Sequence, residues 1–583
     1  MKTIAWSKTY DVIVLGFGGA GATAARFAAD NGAKVLLCEV APEGHEGGNT
    51  RYCAQAIDCA DNKEQITQYY QKLTSPLEID TEVADTYCDG LVNMKSYLQK
   101  YLGVEPVDAK DLGMEEAAVE YPEFAGAQSN SCYFVHKGVM DSALWKKLKA
   151  EVEKRDNIDI WYETRALHLI KENETVVGVQ IQNNDHLFNI AAKNGVVLAT
   201  GGFENNKQMI RDYLGRSALS PLGTLYNKGD GLKMAQEIGA DMWHLSSWES
   251  TGMTFNVPEG NRAPLLPQLI TFVNGSALVI SDDGSRYFNE AYINRHGRVY
   301  SHGTWRIPED VQQPYLIFDQ AQYDDLAKAK VLPILQKALI KADDLAELAE
   351  KIGLEKGTLD ATVSRFNQQV EQGFDYEEHR NIATMRKFAE GPYYAVPMRQ
   401  SILNTQGGPR RNAQAQVIDT NGKPIKHLYS AGEVGGIATN LYQGGSNMAE
   451  CLIFGKIAGE NAAKVKDDAV DVQTSASKMA GELPKSKKTK PLKVTLGPDQ
   501  YLGKSDLGMG DEMVVRVTYK DHQLKNVEIL QESESADYGH KAVEILPKRM
   551  VAENKIDVDS VTGASLSSRS IKAAVKDALK NVE

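Results

Sequence analysis

The sequence predicts an α/β chain of several domains, and three observations carry that reading. Its 583 residues exceed what one hydrophobic core organises. Residues 10–40 run strand, glycine-rich turn, helix, strand. Beyond residue 463 the composition turns polar and then changes pattern, which marks a separate C-terminal module. With 42% hydrophobic and 25% charged residues, the chain has an ordinary globular composition. A formal net charge of -13 argues against nucleic-acid binding, which wants a basic footprint, and against docking on anionic lipid.

The first sixteen residues, MKTIAWSKTYDVIVLG, contain no apolar stretch followed by a small-residue cleavage site, so no signal peptide is expected. No later run reaches the roughly 18 apolar residues of a membrane span. The six cysteines include no CxxC pair. Zinc and iron–sulfur sites are therefore not expected, no metal is assigned, and free thiols in a reducing cytoplasm are the reading. Cys53 lies near a glycine loop but reads as a small buried residue.

The segment YDVIVLGFGGAGATAARFAADNGAKVLLCE places Gly16, Gly18, Gly19 and Gly21 directly after an apolar strand and before an alanine-rich helix. Gly16 permits the tight turn, Gly18 admits a pyrophosphate against the backbone, and Gly21 lets helix pack on strand. Glu39 closes the second strand, Lys34 to Leu37, where it can accept from ribose hydroxyls. The whole is a Rossmann-like dinucleotide site. A second glycine loop, GHEGGNTR, brings Gly47, Gly48, Asn49 and Thr50. GVVLATGGF is a buried strand ending in Gly201 and Gly202. LYSAGEVGG is another strand end, with Gly432 and Glu433. GGSNMA, with Ser446, Asn447 and Met448, opens a helix over Glu450 to Ala462, whose free N–H groups suit a flavin edge.

These motifs resemble the flavoprotein family of soluble fumarate reductases, urocanate reductases and 3-ketosteroid dehydrogenases over roughly residues 8–462. The resemblance implies a non-covalent FAD and an FAD-binding domain built from 1–236 and 386–463. An α+β capping substrate domain, 237–385, would be inserted between them, with the active site over flavin N5.

Residues 284–298 read GSRYFNEAYINRHGR. The resemblance assigns Arg295 as the residue that protonates substrate carbon, although it stands one position further from Glu290 than in the fumarate reductases. Tyr292 and Arg298 are close enough to share or compete for the role. A guanidinium with a pKa above about 12 serves as an acid only when a relay reprotonates it. The carboxylate clamp departs from fumarate reductase. Asn404 stands where that family has histidine, in NTQGG, and Tyr442 stands near the place of an arginine, in TNLYQGG. Losing two cationic partners argues against dicarboxylates, which want bidentate guanidinium contacts. The ketosteroid dehydrogenases carry a tyrosine at this place, which implies that Tyr442 holds a ketone oxygen. Tyr133, His136, His244 and Trp248 are further candidates for the cavity lining, each more readily read as structural.

Residues 464–491 read as a polar linker and 492–583 as a small α+β module. Its strands MVVRVTYK and LKNVEIL join at a turn near Asp521, and a final helix covers Arg569 to Leu579. DSVTGAS resembles the FMN-binding domain of sodium-pumping quinone reductases and of some urocanate and fumarate reductases. By that resemblance FMN is attached through its phosphate to Ser565 by an ApbE-type flavin transferase, with Asp559, Thr562 and Gly563 as cradle residues and His540 near the flavin.

The expectation is an FAD/FMN ene-reductase for an α,β-unsaturated carbonyl compound, an apolar enone such as a 3-oxosteroid. FMN would relay electrons from an external reductase or reduced flavin to FAD. Reduction of an unsaturated monocarboxylate, of cinnamate, urocanate or fumarate type, is the alternative. A purely electron-carrying partner subunit is the non-enzymatic one.

Overall fold

The computed structural model describes residues 4–114, 118–216, 219–256, 270–292, 295–308, 313–329, 332–465, 481–490, 492–561, 563–580 and 582. The chain divides into two compact units, one of residues 1–206, 226–247 and 404–583, the other of 207–225 and 248–403.

The first unit is organised on an eight-stranded sheet. Strand β1 (Lys8–Leu15) pairs in parallel with β2 (Val35–Cys38), and β2 with β3 (Ile158–Trp161). On its other side β1 runs parallel to the end of a long strand that returns from an antiparallel flap. The flap strands are β4 (Thr164–Glu172), β5 (Thr175–Asn183) and β6 (His186–Leu198). Strand β7 (Gln416–Ile418) pairs with β8 (Pro424–Ser430), which runs parallel to β6. The parallel strands bury both faces, so Val12 to Leu15 and Val196 to Leu198 read as unbroken apolar runs.

Helix α1 (Gly19–Asp30) has no polar face: eleven residues, Gly19 to Ala29, are buried. It lies against α3 (Ser446–Ala463), and the two backbones approach closely. A Cβ on Gly455 would stand 2.9 Å from Ala20 O, and one on Gly459 2.3 Å from Ala24 O. The alanine and glycine content of both helices is the requirement of that contact. Helix α3 starts at Ser446, four residues before the sequence reading placed it, because the left-handed Gly445 (φ 91°) starts the helix directly after the glycine pair. Helix α2 (Ala143–Glu153) packs on α1.

The C-terminal module has the antiparallel order β9 (Gln500–Ser505), β10 (Met513–Lys520), β11 (Gln523–Gln531). The helices α4 (Gly539–Glu553) and α5 (Ser565–Leu579) share one core with these strands through Val515, Val517, Leu546, Ile571 and Val575. The turn at Asp521 and His522 has positive φ at both central positions (51° and 57°), the geometry that matches strand twist. Helix α5 begins four residues earlier than Arg569, so Ser565 occupies its first turn. The stretch read as a linker is held at its far end. Ile160 N donates to Ser486 Oγ (3.0 Å) and Lys487 N to Ile160 O (3.1 Å), which partners the open edge of β3.

The second unit carries a six-stranded sheet in which Tyr393–Ile402 pairs with Tyr315–Asp319, and that strand with Ala277–Ile280. Its two apolar clusters include Leu316, Phe318 and Val396 on one side and Leu348, Phe366 and Ile317 on the other.

Candidate functional site

The glycine turn after β1 is shaped for a ligand that touches main chain. Gly16 has φ 102°, and a Cβ there would lie 2.3 Å from Ala199 O. A Cβ on Gly21 would fall 1.8 Å from Gly16 O. Gly18 caps α1 without a side-chain acceptor, which leaves the helix's first turn open to an anion. The second glycine loop closes on the first. Gly47 N donates to Phe17 O (3.0 Å) and Gly19 N to Thr50 Oγ1 (3.1 Å). Glu39 is buried and accepts from Phe17 N (2.7 Å) and Ala41 N (2.8 Å). Burial pushes its carboxyl up to about 7 against those two bonds. It ties the glycine turn to the end of β2, and each oxygen keeps a second lone pair for a ribose hydroxyl.

A carboxyl pair that sequence spacing did not reveal sits between the second glycine loop and the start of α3. Asn49 Nδ2 donates to Glu204 Oε1 (2.8 Å) and to Glu433 Oε2 (2.9 Å). Asn227 Nδ2 donates to Glu204 Oε1 (2.8 Å), and Asn447 Nδ2 to Glu433 Oε1 (3.3 Å). Neither glutamate has an ion-pair partner among the described residues. The neighbouring Arg411 guanidinium is taken by Glu450. Burial pushes Glu204 up to about 7 and raises Glu433 well above the carboxylate range, with Glu204 as a further cause. The native state therefore holds more protons than the unfolded chain between about pH 4.5 and 7, and stability falls as pH rises through that window. Glu204→Gln keeps the acceptor for both amides and removes the titration. The FAD-free variant is expected to lose up to about 1.4 kcal/mol per pH unit of that slope. Urea unfolding at several pH values across the window reads it, and an unchanged slope would refute the assignment.

The segment after Asn404 forms a neutral wall. Gln406 Nε2 donates to Asn404 Oδ1 (2.8 Å) and to Asn447 Oδ1 (3.2 Å). His244 Nε2 lies 2.7 Å from Gly436 O, and burial lowers the imidazole to about 4, so it is uncharged near neutral pH. Tyr442 is buried at 6% exposure, just before α3. Beside it a tyrosine nest fixes the helix start. Tyr69 Oη donates to Gln443 Oε1 (2.7 Å), Tyr87 Oη to Ser446 O (3.1 Å), and Tyr70 Oη bonds Asp58 and reaches Ser446 Oγ (3.3 Å). These tyrosines carry no motif. Tyr69 and Tyr70 adjoin in one helix, Lys63–Thr74, and Tyr87 stands in the next, Thr81–Val92. Gly201 (φ 66°) and Gly202 approach Asn227 and Thr405, and Gly432 (φ 79°) faces Ala20. Met448 Sδ lies 3.6 Å from Cys53 Sγ. Burial pushes the Cys53 thiol up to about 12, which keeps it protonated. His136 Nε2 pairs with Asp141 (2.8 Å), and Tyr133 is half-buried in the strand Asn130–Phe134.

In the second unit, the motif flanking Arg295 is structural. Arg286 bonds Glu290 and Asp375 at 3.0 Å each, and Arg380 approaches Glu290 at 3.5 Å, all at 0–1% side-chain exposure. Arg295 and Arg298 close a two-residue turn. Arg295 N donates to Arg298 O (3.0 Å) and Arg298 N to Arg295 O (3.1 Å), around His296 (φ 48°) and Gly297 (φ 82°). The Arg295 guanidinium lies over the Trp305 ring, 4.0 Å from its centroid. Arg298 forms a buried ion pair with Glu249. Tyr292 is exposed and edge-on to Trp305 at 5.8 Å. Arg216 lies 5.9 Å from the buried Trp248 ring.

In the C-terminal module Ser565 is exposed at the start of α5, behind the buried Ala564. Gly563 has φ 81°, and a Cβ there would press to 2.8 Å on the Tyr538 ring. Asp559 is exposed, and its carbonyl accepts from Arg549 Nη1 (2.6 Å). Thr562 lies outside the described residues. His540, near Glu532 and Glu544 (3.6 and 3.5 Å), lines a cleft of about 350 Å³ with Glu43, Gly44, His45, Glu532, Ser533, Glu534 and Ala536. Among the described residues no helix is long and apolar enough to cross a membrane, and no group of three or more His, Cys, Asp or Glu is placed to hold a metal.

A glycine cradle with no room for Cβ atoms, an acid at the second strand and an open helix N-terminus define a dinucleotide-binding fold. The chain belongs to the FAD binding domain family, whose model matches residues 11–448, and an FMN-binding domain matches residues 508–580. It is 29% identical over 477 residues to "Probable fumarate reductase Ifc3" of Shewanella frigidimarina, covering 79% of this chain and 75% of that one. It is 25% identical over 506 residues to the vinyl phenol reductase of Lactiplantibacillus plantarum, covering 79% and 97%. A solved open conformation of a flavocytochrome c3 fumarate reductase matches with a TM-score of 0.61 at 26% identity, covering 79% and 78%. The chain is a flavin-dependent oxidoreductase of the group acting on C=C bonds, related to fumarate reductases, urocanate reductases and 3-oxosteroid dehydrogenases.

Proposed function

We propose that the protein reduces the C=C bond of a neutral α,β-unsaturated carbonyl compound, an apolar enone such as a 3-oxosteroid. The observation that carries this reading is the neutral wall: Asn404, Gln406 and Asn447 joined by amide hydrogen bonds, an uncharged His244, and Tyr442 ahead of α3. Among the described residues, that wall places no guanidinium fork for a dicarboxylate. Bound FAD would supply hydride at N5. Tyr442 donates its phenolic hydrogen bond to the substrate oxygen, polarising the enone and stabilising the developing enolate. Arg295 delivers a proton to the other alkene carbon, with Tyr292 and Arg298 as its neighbours and a relay that restores its proton. The relative named for vinyl phenol, a compound without a carboxylate, supports a neutral substrate.

The glycines of both loops, with Asn49 and Thr50, would hold the FAD diphosphate. Glu39 would take the ribose, Gly201, Gly202, Gly432 and Glu433 would line the ribityl side, and Ser446 to Met448 would face the pyrimidine edge. Ser565 would carry FMN, attached by an ApbE-type transferase, and the bound FMN would supply one- and two-electron chemistry between a cytoplasmic reductase or reduced flavin and the FAD site. Ser565→Ala is expected to lose the flavin that survives denaturation: the mass falls by one FMN phosphoester while FAD content is unchanged. A retained adduct would move the attachment elsewhere.

The test of the main reading is an anaerobic screen. Dithionite-reduced enzyme is mixed with enones, 3-oxosteroids, vinyl phenols, cinnamates, urocanate and fumarate, and flavin reoxidation is followed. Fast reoxidation by neutral compounds supports the reading. Fast reoxidation by acids alone overturns it in favour of an unsaturated monocarboxylate, with Arg295 and Arg298 as the candidate contacts.

A further inference from the structure

The contact between the C-terminal module and the FAD-binding half is made by charged groups, of which Arg51, Lys149 and Glu46 are almost wholly buried and Asp511 is partly so. Arg51, at 2% exposure, follows the second glycine loop. Its Nε donates to Met509 O (2.9 Å), one terminal nitrogen bonds Ser533 O, and the other bonds Gly44 O and Glu46 O within its own loop. Lys149 on α2, at 5% exposure, bridges Glu46 (2.6 Å) and Asp511 (2.7 Å). Ser142 Oγ lies 2.7 Å from Arg51 O and 2.9 Å from Met509 O. Lys146 Nζ caps Asp506 O (2.6 Å) and Gly508 O (2.9 Å).

Desolvating an arginine, a lysine and a glutamate together is tolerated only when the partners are placed well enough to satisfy them. Such a contact admits one register. Its anchor is the loop that reaches the phosphate turn through Gly47 N to Phe17 O and Gly19 N to Thr50 Oγ1.

We propose that Arg51, Lys149 and Asp511 form a clamp that fixes the FMN-binding module in one docked position on the FAD cradle. They are positioning residues for electron passage between the flavins. The inference rests on the relay reading above. The clamp residues take part in no bond change: the two electrons given up by reduced FMN are the two accepted by FAD.

Asp511→Lys sets a like charge against Lys149 without touching the FAD half. In the full-length, FMN-free protein it is expected to raise the scattering radius of gyration and to speed proteolysis within residues 464–491. In the flavin-loaded protein, FMN-to-FAD transfer is expected to slow by more than about tenfold, a loss of roughly 1.4 kcal/mol in barrier terms. Turnover after direct dithionite reduction of FAD should stay within about twofold. Asp511→Glu should restore transfer, whereas a residue needed only for stability would show as a lowered unfolding midpoint with no selective loss. Should Asp511→Lys misfold, Asp511→Asn, which removes the charge without reversing it, is read in its place. Unchanged scattering and proteolysis would overturn the docking, and release without slowed transfer would overturn the positioning role. Absence of FMN-to-FAD transfer in the wild type would count against the relay alone, since scattering and proteolysis still decide the docking.

Discussion

Gly21→Ala is expected to weaken FAD binding by about 30- to 1000-fold, equivalent to about 2–4 kcal/mol, and to lower the unfolding temperature. The added Cβ would stand 1.8 Å from Gly16 O, a distance no side-chain rotation relieves because the backbone alone sets the position of Cβ and the oxygen belongs to the main chain. Relief requires α1 to move away from the turn. That movement disturbs two things at once. It displaces the first helical turn from the position that would meet the diphosphate, and it presses α1 into α3, where Gly455 and Gly459 leave no slack. Overpacking of this kind costs about 1–3 kcal/mol in stability and occasionally more. Flavin content after gel filtration and titration of the FAD-free protein with FAD measure the effect. A variant that retains FAD at wild-type affinity would show that the turn is not the diphosphate site.

Tyr442→Phe is expected to reduce kcat/KM for enones by about 10²–10³, or roughly 3–4 kcal/mol, the usual cost of removing one oxyanion donor. The change keeps the ring, and therefore the packing of a residue at 6% exposure, and removes only the hydroxyl. FAD content and unfolding temperature should be close to wild type. Because a donor to the developing enolate acts mainly in the transition state, the loss should fall on kcat more than on KM. Cinnamate and urocanate, if turned over at all, should be nearly indifferent to the substitution. An equal loss for ketones and acids would mean that Tyr442 supports the flavin rather than the substrate carbonyl.

The parts of the fold that were legible in the sequence are those whose cause is local. The cradle glycines announce themselves because positive φ at Gly16 and close approach at Gly21 exclude every other residue within a few positions of the strand. The β10–β11 hairpin is legible for the same reason. The Glu204–Glu433 pair was not, because its two members come from different strand ends and meet only through Asn49. Arg286 and Glu290 were read as the lead-in to a catalytic arginine. Their burial with Asp375 and Arg380 depends on a helix and a loop far along the chain, which no short motif encodes. The His296-Gly297 turn was not read from the sequence, because a lone glycine among charged and aromatic residues carries no strand pattern on either side. Residues 481–490 looked like tether because composition records polarity, not the need of an edge strand for partners.

The buried Arg286–Glu290–Asp375–Arg380 cluster has a bearing on how substrate range can change in this chain. Glu290 is anchored in the core of its unit, and the Arg295–Arg298 turn is closed by its own main-chain bonds. Between two such fixed points, the number of intervening residues sets where the arginine arrives without altering either end. On the proposed role of Arg295, the extra residue that separates it from Glu290, relative to the fumarate reductase pattern, would be a change of reach at constant chemistry. If Arg295 has the role proposed for it, insertions and deletions in that short span would alter how well its guanidinium reaches the substrate, independent of any substitution in the pocket.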